Sequence, residues 1–222
     1  NGGLNWEIVK KMIEDKMSHL SIDVFIYEPN SQIKEKLKEE RVQLTDARAM
    51  LLFMLYKLVA NGEFVSEFSS EKICYFLQRF GAKEHFKLDY KPNFYGPYSG
   101  KVKYVINYLN GSYIMGYSSM DKKPFETLDL VSDGFEKVEG YILSKPELVE
   151  IVNRTELFLD GFYSEFALEL LSTVDYISLN KDTFDLEIIK SELEGWSERK
   201  RTLFSNDRFL NISINHLKEH FG

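Results

Sequence analysis

The sequence predicts a mostly α protein with one small β-hairpin, an α+β arrangement, preceded by a short piece that reads as the edge of an α/β domain. Three observations predict it. Apolar residues recur at spacings of three and four through most of residues 44–222. Two short apolar stretches, 113–117 and 125–130, flank the polar loop Ser118-Ser119-Met120-Asp121-Lys122-Lys123, which describes a hairpin. An unbroken Val24-Phe25-Ile26-Tyr27 run, stopped by Pro29, has the character of a strand covered on both faces.

In chain order, Trp6, Val9, Ile13, Met17 and Leu20 fall on one helical stripe behind Asn5, a good N-cap. One helix and one strand cannot bury themselves, so residues 1–29 are either the broken-off edge of an α/β domain or a unit that docks on the rest of the chain. Residues 30–43 are charged with few apolar side chains and read as a polar linker, which leaves 44–222 as the second domain. There Thr45 caps a helix running through Ala47, Leu51, Met54, Leu55 and Leu58 to Asn61-Gly62. Ser70, Ile73, Phe76, Leu77 and Phe80, closed by Gly81, trace a second. Phe86, Leu88 and Tyr90 alternate with Lys87, Asp89 and Lys91, the period of a half-buried strand. The chain turns at Tyr95-Gly96-Pro97-Tyr98 into a third helix, from Ser99, whose apolar face is Val102, Val105, Ile106 and Leu109. Followed by the hairpin, these three helices have the order of a winged helix. Further helices are expected at 133–143, 146–159 with Pro146 in the first turn, 165–178, 184–194 and 207–220.

A chain of 222 residues, 44% apolar with 17 Phe and 13 Tyr, can bury one large or two small cores. No stretch approaches the roughly 18 apolar residues that a membrane helix needs. The start, Asn1-Gly2-Gly3-Leu4, lacks the regions of a signal peptide. The expectation is a soluble, cytoplasmic chain that starts within a longer gene product and has no membrane partner. The lone cysteine, Cys74, excludes an internal disulfide framework and a Cys-based zinc site, and its apolar helical surroundings make it a buried, inert thiol. The net charge of −7 is polarised: residues 31–120 hold 13 basic and 9 acidic residues, whereas residues 121–198 hold 7 and 19, a balance of −12. Such a block repels phosphate and favours a basic partner, although a solvated helix face explains any single carboxylate equally well.

His216-Leu217-Lys218-Glu219-His220 fits the spacing of an inverted zinc-peptidase motif, but a catalytic zinc needs a third protein ligand and none comes before Gly222. The histidines read as a surface pair, and no metal or other cofactor is expected. His19 and His85 are isolated, and no Ser or Cys nucleophile stands next to a base. The third helix carries Lys101 and Lys103 but also Tyr104 and Tyr108, and no arginine occurs from Asp89 to Leu130, so a DNA-recognition helix is the second reading of it. Arg199-Lys200-Arg201, after Trp196-Ser197-Glu198, is the best phosphate-like patch and reads as a solvated helix end. In the Tyr95–Tyr98 motif, Gly96 permits an unusual backbone and Pro97 fixes φ, which makes a structural corner first and a tyrosine-lined contact surface second.

Two segments carry a family resemblance. Asn1-Gly2-Gly3-Leu4-Asn5-Trp6, a helix, then Asp23-Val24-Phe25-Ile26-Tyr27-Glu28-Pro29 resembles the C-terminal end of the macrodomain in DarG-type bacterial DNA ADP-ribosyl glycohydrolases, with Asn5 in place of the family's Asp. Glu71-Lys72-Ile73-Cys74-Tyr75-Phe76-Leu77-Gln78, the Tyr95–Tyr98 corner and Trp196-Ser197-Glu198-Arg199-Lys200-Arg201 resemble that family's C-terminal domain. The resemblance implies a toxin–antitoxin system. Its macrodomain removes ADP-ribose that a DarT-type transferase, using NAD, attaches to thymidine in single-stranded DNA, and its C-terminal domain neutralises that toxin by binding it. Gly2, Gly3 and Leu4 would then be remnants of the ADP-ribose loop. With the rest of the macrodomain placed before Asn1, the chain is expected not to be an enzyme. Tyr95, Tyr98, Glu187, Glu194, Trp196 and Glu198 are the candidates for touching the toxin, and Gly96 and Pro97 for shaping the corner. A toxin that handles single-stranded DNA should have a basic groove with aromatic platforms. The acidic half could fill that groove as a DNA mimic; binding elsewhere and closing the toxin allosterically is the alternative. Direct nucleic-acid binding by the chain is not expected, and a winged-helix DNA-binding regulator is the competing class of function.

Overall fold

A computed structural model describes residues 6–22, 24, 41–117 and 123–222. The chain divides into two units, 1–39 and 40–222, and most of the expected linker 30–43 lies outside the described residues. In the first unit, α1 (Trp6–Met17) forms as the apolar spacing predicts, with Val9 and Ile13 half-buried and Met17 and Leu20 exposed. Gly2, Gly3, Leu4, Asn5 and nearly all of the expected strand at 24–27 with Pro29 lie outside the described residues. Val24 is described, exposed and in no strand.

The second unit is mostly helical. Thr45 caps α2 (Asp46–Ala60) by accepting a hydrogen bond from the Arg48 N–H, and Met50, Leu51, Leu52, Met54, Leu55 and Leu58 are all fully buried, so this helix runs through the core. α3 (Glu67–Leu77) starts three residues before the expected Ser70, at a capping box in which Ser66 and Ser69 satisfy each other's backbone N–H groups. Helical structure continues through Phe80 and kinks at Gly81, whose φ of 118° only glycine adopts without strain.

The expected strand at 86–90 does not form. A short helix, α4 (Lys83–Phe86), ends at Lys87 in the left-handed conformation. Beyond it, the Leu88 backbone is bracketed by the Gln78 amide, which accepts from the Leu88 N–H at 2.8 Å and donates to its carbonyl at 3.1 Å. That side chain makes the two bonds a neighbouring strand would have made, so the alternating pattern is satisfied without a ladder. The strands come later, as an antiparallel ribbon of β1 (Lys91–Asn93) and β2 (Gly96–Tyr98).

Next is α5 (Val102–Leu109), burying Val102, Ile106 and Leu109. The expected hairpin is present but short: β3 (Ile114–Met115) pairs with β4 (Asp129–Leu130), and Leu128 bridges back to Val65 between α2 and α3. A 3₁₀ turn at 132–134 leads into α6 (Phe135–Leu143). Then come α7 (Pro146–Leu159), α8 (Glu165–Lys181), α9 (Leu186–Trp196), α10 (Glu198–Leu203) and α11 (Asp207–Phe221). α2 packs on α3, α6 and α7, while α3 packs on α5, α7 and α8, and α8 on α11 and β2. α3 is thereby enclosed, and all of its residues are buried, including Glu67, Glu71 and Lys72.

Cys74 is fully buried, and burial raises its thiol pKa well above the ordinary value, the inert thiol its pattern suggested. His216 is not on the surface as expected: it is half-buried, its ring 4.4 Å from Phe162 and 4.6 Å from Phe158, and Nε2 contacts the Phe158 carbonyl at 2.7 Å. Among the described residues no helix is long and apolar enough to cross a membrane, and no group of three His, Cys, Asp or Glu side chains could hold a metal.

Candidate functional site

The corner at Tyr95–Tyr98 is held from behind by four helices, α3, α8, α9 and α10. In the β1–β2 ribbon Asn93 pairs with Gly96, so Phe94 and Tyr95 form the tip. Gly96 has φ 92°, and a Cβ there would lie 2.7 Å from the Thr173 hydroxyl and 3.2 Å from Lys72 Nζ. Backbone and space both demand glycine.

From α3, Lys72 Nζ donates to the Pro97 carbonyl at 2.7 Å. The Glu71 carboxylate accepts from the Ser99 hydroxyl at 3.1 Å and from the N–H groups of Ser99 at 3.3 Å and Gly100 at 3.2 Å. Glu67 accepts from the Tyr98 hydroxyl at 3.1 Å and from the Tyr117 hydroxyl. From α8, Glu169 accepts from Lys200 Nζ of α10 at 2.6 Å and from both terminal nitrogens of Arg199, and Lys200 also donates to Thr173 at 3.2 Å. The Trp196 indole N–H at the end of α9 donates to the Asn93 carbonyl at 2.9 Å. The Arg199 guanidinium lies 4.9 Å from the Tyr95 ring centroid, placing a cation against an aromatic face.

Burying these charges perturbs them. Burial, reinforced by the Lys200 charge, lowers the Lys72 pKa to about 7, and burial lowers Lys200 to about 8 against the opposing pull of Glu169. Burial raises Glu71 to about 7 despite the Ser99 and Gly100 hydrogen bonds and the nearby Lys72 charge. Burial also pushes Glu169 upward, but the hydrogen bonds and charges of Arg199 and Lys200 outweigh it and hold the carboxyl below its ordinary value. A cavity of about 250 Å³ opens beside this network, lined by Glu67, Phe68, Glu71, Lys72, Tyr95 and Tyr98 among others. Lys72, Glu67 and Glu71 are committed to holding the corner, and Glu169 to holding Arg199 and Lys200 behind it, which makes the arrangement a mount for an aromatic surface.

The structure brings together some of the expected contact residues. Tyr95, Tyr98 and Trp196 are half-buried around the corner, with Tyr95 packed edge-on against Phe94 and Phe125 at 4.8 Å each. Gly96 and Pro97 are buried. Glu187, Glu194 and Glu198 face solvent, Glu187 in the first turn of α9 and Glu194 and Glu198 around its end. The basic cluster needs correcting. It is not a solvated helix end, because Lys200 is 0% exposed and Arg199 grips Glu169, leaving Arg201 as its solvent-facing member. The signal was Glu169 itself, a carboxylate amid Leu168, Leu170 and Leu171 that could be buried only with a cation to meet it.

No family model matches the chain. It is similar to a protein of Thermus aquaticus named DNA ADP-ribosyl glycohydrolase, with 30% identity over 206 residues, covering 91% of this chain and 56% of that protein. Two mycobacterial proteins of the same name, from Mycobacterium tuberculosis and Mycobacterium bovis, are each 22% identical over 223 residues, covering 94% of this chain and 63% of their own length. The chain thus spans between half and two thirds of the relatives it matches. The expectation that it is not an enzyme is overturned, since proteins that align with 91–94% of it bear the name of a hydrolase. The similarity runs along nearly the whole chain and supports the family that its motifs resemble, the DNA ADP-ribosyl glycohydrolases.

Proposed function

We propose that the protein acts on ADP-ribosylated DNA, as the name of its relatives states of them, and that residues 44–222 bind and neutralise a DarT-type ADP-ribosyltransferase. In this reading residues 1–29 end a macrodomain and residues 30–43 link it to the toxin-binding part. The observation that carries the second role is the direction of the acidic residues. Glu187, Glu194 and Glu198 face solvent around α9, and the end of that helix is pinned to the aromatic ribbon by Trp196. The carboxylates of Glu194 and Glu198 therefore lie near the rings, as phosphates lie near bases along a single DNA strand, with Glu187 at the far end of the helix. The winged-helix order belongs to the same reading, supported by α2, α3 and α5 with the β3–β4 pair and the Val65–Leu128 bridge.

The test of binding is co-purification with the toxin encoded beside it, and then titration with and without saturating single-stranded oligonucleotide. Competition supports DNA mimicry, whereas unchanged affinity for DNA-loaded toxin supports an allosteric site. Release of ADP-ribose from thymidine-modified DNA, measured against a buffer control, tests the activity.

A further inference from the structure

Residues 90–120 contain no aspartate or glutamate, in a chain that has 35 of them, yet they include seven of its 13 tyrosines. α5 displays part of this stretch to solvent. Tyr104 is 60% and Tyr108 45% exposed, one helical turn apart and away from the buried Val102, Ile106 and Leu109. The Arg48 guanidinium reaches across from α2 and sits 3.5 Å from the Tyr108 ring centroid, steadied by a 3.1 Å bond from its Nη1 to the Gln43 carbonyl. Lys103 Nζ lies 5.3 Å from the Tyr104 ring centroid. Lys101 meets Asp89 at 3.4 Å, but both side chains are more than half exposed, so solvent leaves that pair weak.

Two exposed tyrosine rings and a stacked guanidinium contribute little to the core, but together they form a cationic stacking surface. Tyr104 and Tyr108 weigh against a helix that reads duplex DNA through its groove, because duplex base edges are met by hydrogen bonds. They favour a helix that holds a single strand, whose unpaired bases stack on rings while lysines track the phosphates. We propose that the α5 face, formed by Arg48, Lys101, Lys103, Tyr104 and Tyr108, is a binding site for single-stranded DNA. The choice of DNA over RNA rests on the functional reading above. The site itself does not, since it uses none of the acidic residues assigned to the toxin. Its role would be to hold the strand on which the protein acts.

The test is fluorescence anisotropy of a short labelled oligothymidylate titrated with the chain at low salt. Saturable binding that weakens with salt is expected. Tyr104→Ala and Tyr108→Ala should each weaken it by about five-fold or more, with circular-dichroism melts unchanged because both rings are exposed. Glu187→Lys with Glu194→Lys should not weaken it, and toxin binding is measured separately, so either proposal can fail alone. Absence of saturable binding up to about 100 μM at low salt overturns the site, since even non-specific binders reach that range. Full affinity in the double tyrosine variant overturns the surface assigned. Equal binding of duplex DNA overturns stacking as the mode, and tighter binding of the matching RNA overturns the choice of DNA.

Discussion

Charge is handled in opposite ways behind the Tyr95–Tyr98 corner and along α9. Behind the corner, Glu71, Lys72, Glu169 and Lys200 are each no more than 2% exposed, and each makes specific hydrogen bonds. Along α9, Glu187 and Glu194 face water, and the lysines near them make surface pairs, Lys190 with Asp207 at 3.0 Å and Lys181 with Glu192 at 2.7 Å. The same residue types therefore fix a backbone in one place and set a surface potential in the other. Removing one member inside leaves its partner as an uncompensated charge, whereas removing one outside changes little but the field.

The largest effect is expected inside. Glu169→Gln leaves Lys200 buried without its anion and should cost about 3–5 kcal/mol, measured by chemical denaturation. Glu169→Leu combined with Lys200→Met should recover much of that loss. If Glu169→Gln is neutral, the contrast between the two regions is wrong. Gly96→Val should cost about 1–3 kcal/mol from backbone strain, with the 2.7 Å approach of its Cβ to Thr173 adding to it. An unchanged thermal midpoint with lost toxin binding would show that the corner is a contact surface before it is a support.

A smaller effect concerns pH. The folded Glu71 pKa of about 7 lies above the ordinary value of 4.5, so the folded state keeps a proton that the unfolded chain has released. Its contribution to stability is full below pH 4.5 and is lost as pH rises to about 7. Glu71→Gln should flatten stability across that window, read from melts at successive pH values. Lys72 works the other way: its folded pKa of about 7 lies below 10.5, so the cost of its buried charge is fully present below 7 and is relieved as pH rises to 10.5. The smallest effect on stability belongs outside. Glu187→Lys with Glu194→Lys should shift it by no more than about 0.5 kcal/mol per site, while slowing association with a basic toxin in a salt-dependent way.

Helices were readable because their apolar spacing is a local property. Thr45 announces its helix, and Val102, Ile106 and Leu109 point inward as spaced, whereas the Ser66 cap starts α3 ahead of the expected Ser70. What was hidden depends on residues far apart in the chain. Gln78 satisfying Leu88 replaces an expected strand with a bracketed loop, and no pattern within 86–90 could reveal that. Lys200 has the sequence surroundings of a solvated lysine, and its burial is dictated by Glu169, 31 residues earlier. Of the candidate site, the corner was legible because Gly96 opens a backbone region closed to other residues and Pro97 fixes φ, both local properties. The cation behind it was not, and the acidic balance of 121–198 also counted Glu169 and Asp175, which are buried against Arg199, Lys200 and Arg79.

The bond from the Trp196 indole to the Asn93 carbonyl gives the molecule an optical readout. The chain has two tryptophans, Trp6 in the first unit and Trp196 in the second. With Trp6 replaced by phenylalanine, the emission of Trp196 would report the detachment of the β1–β2 ribbon from α9 as a red shift. The seating of the corner could then be watched in real time, without a label, while a partner binds.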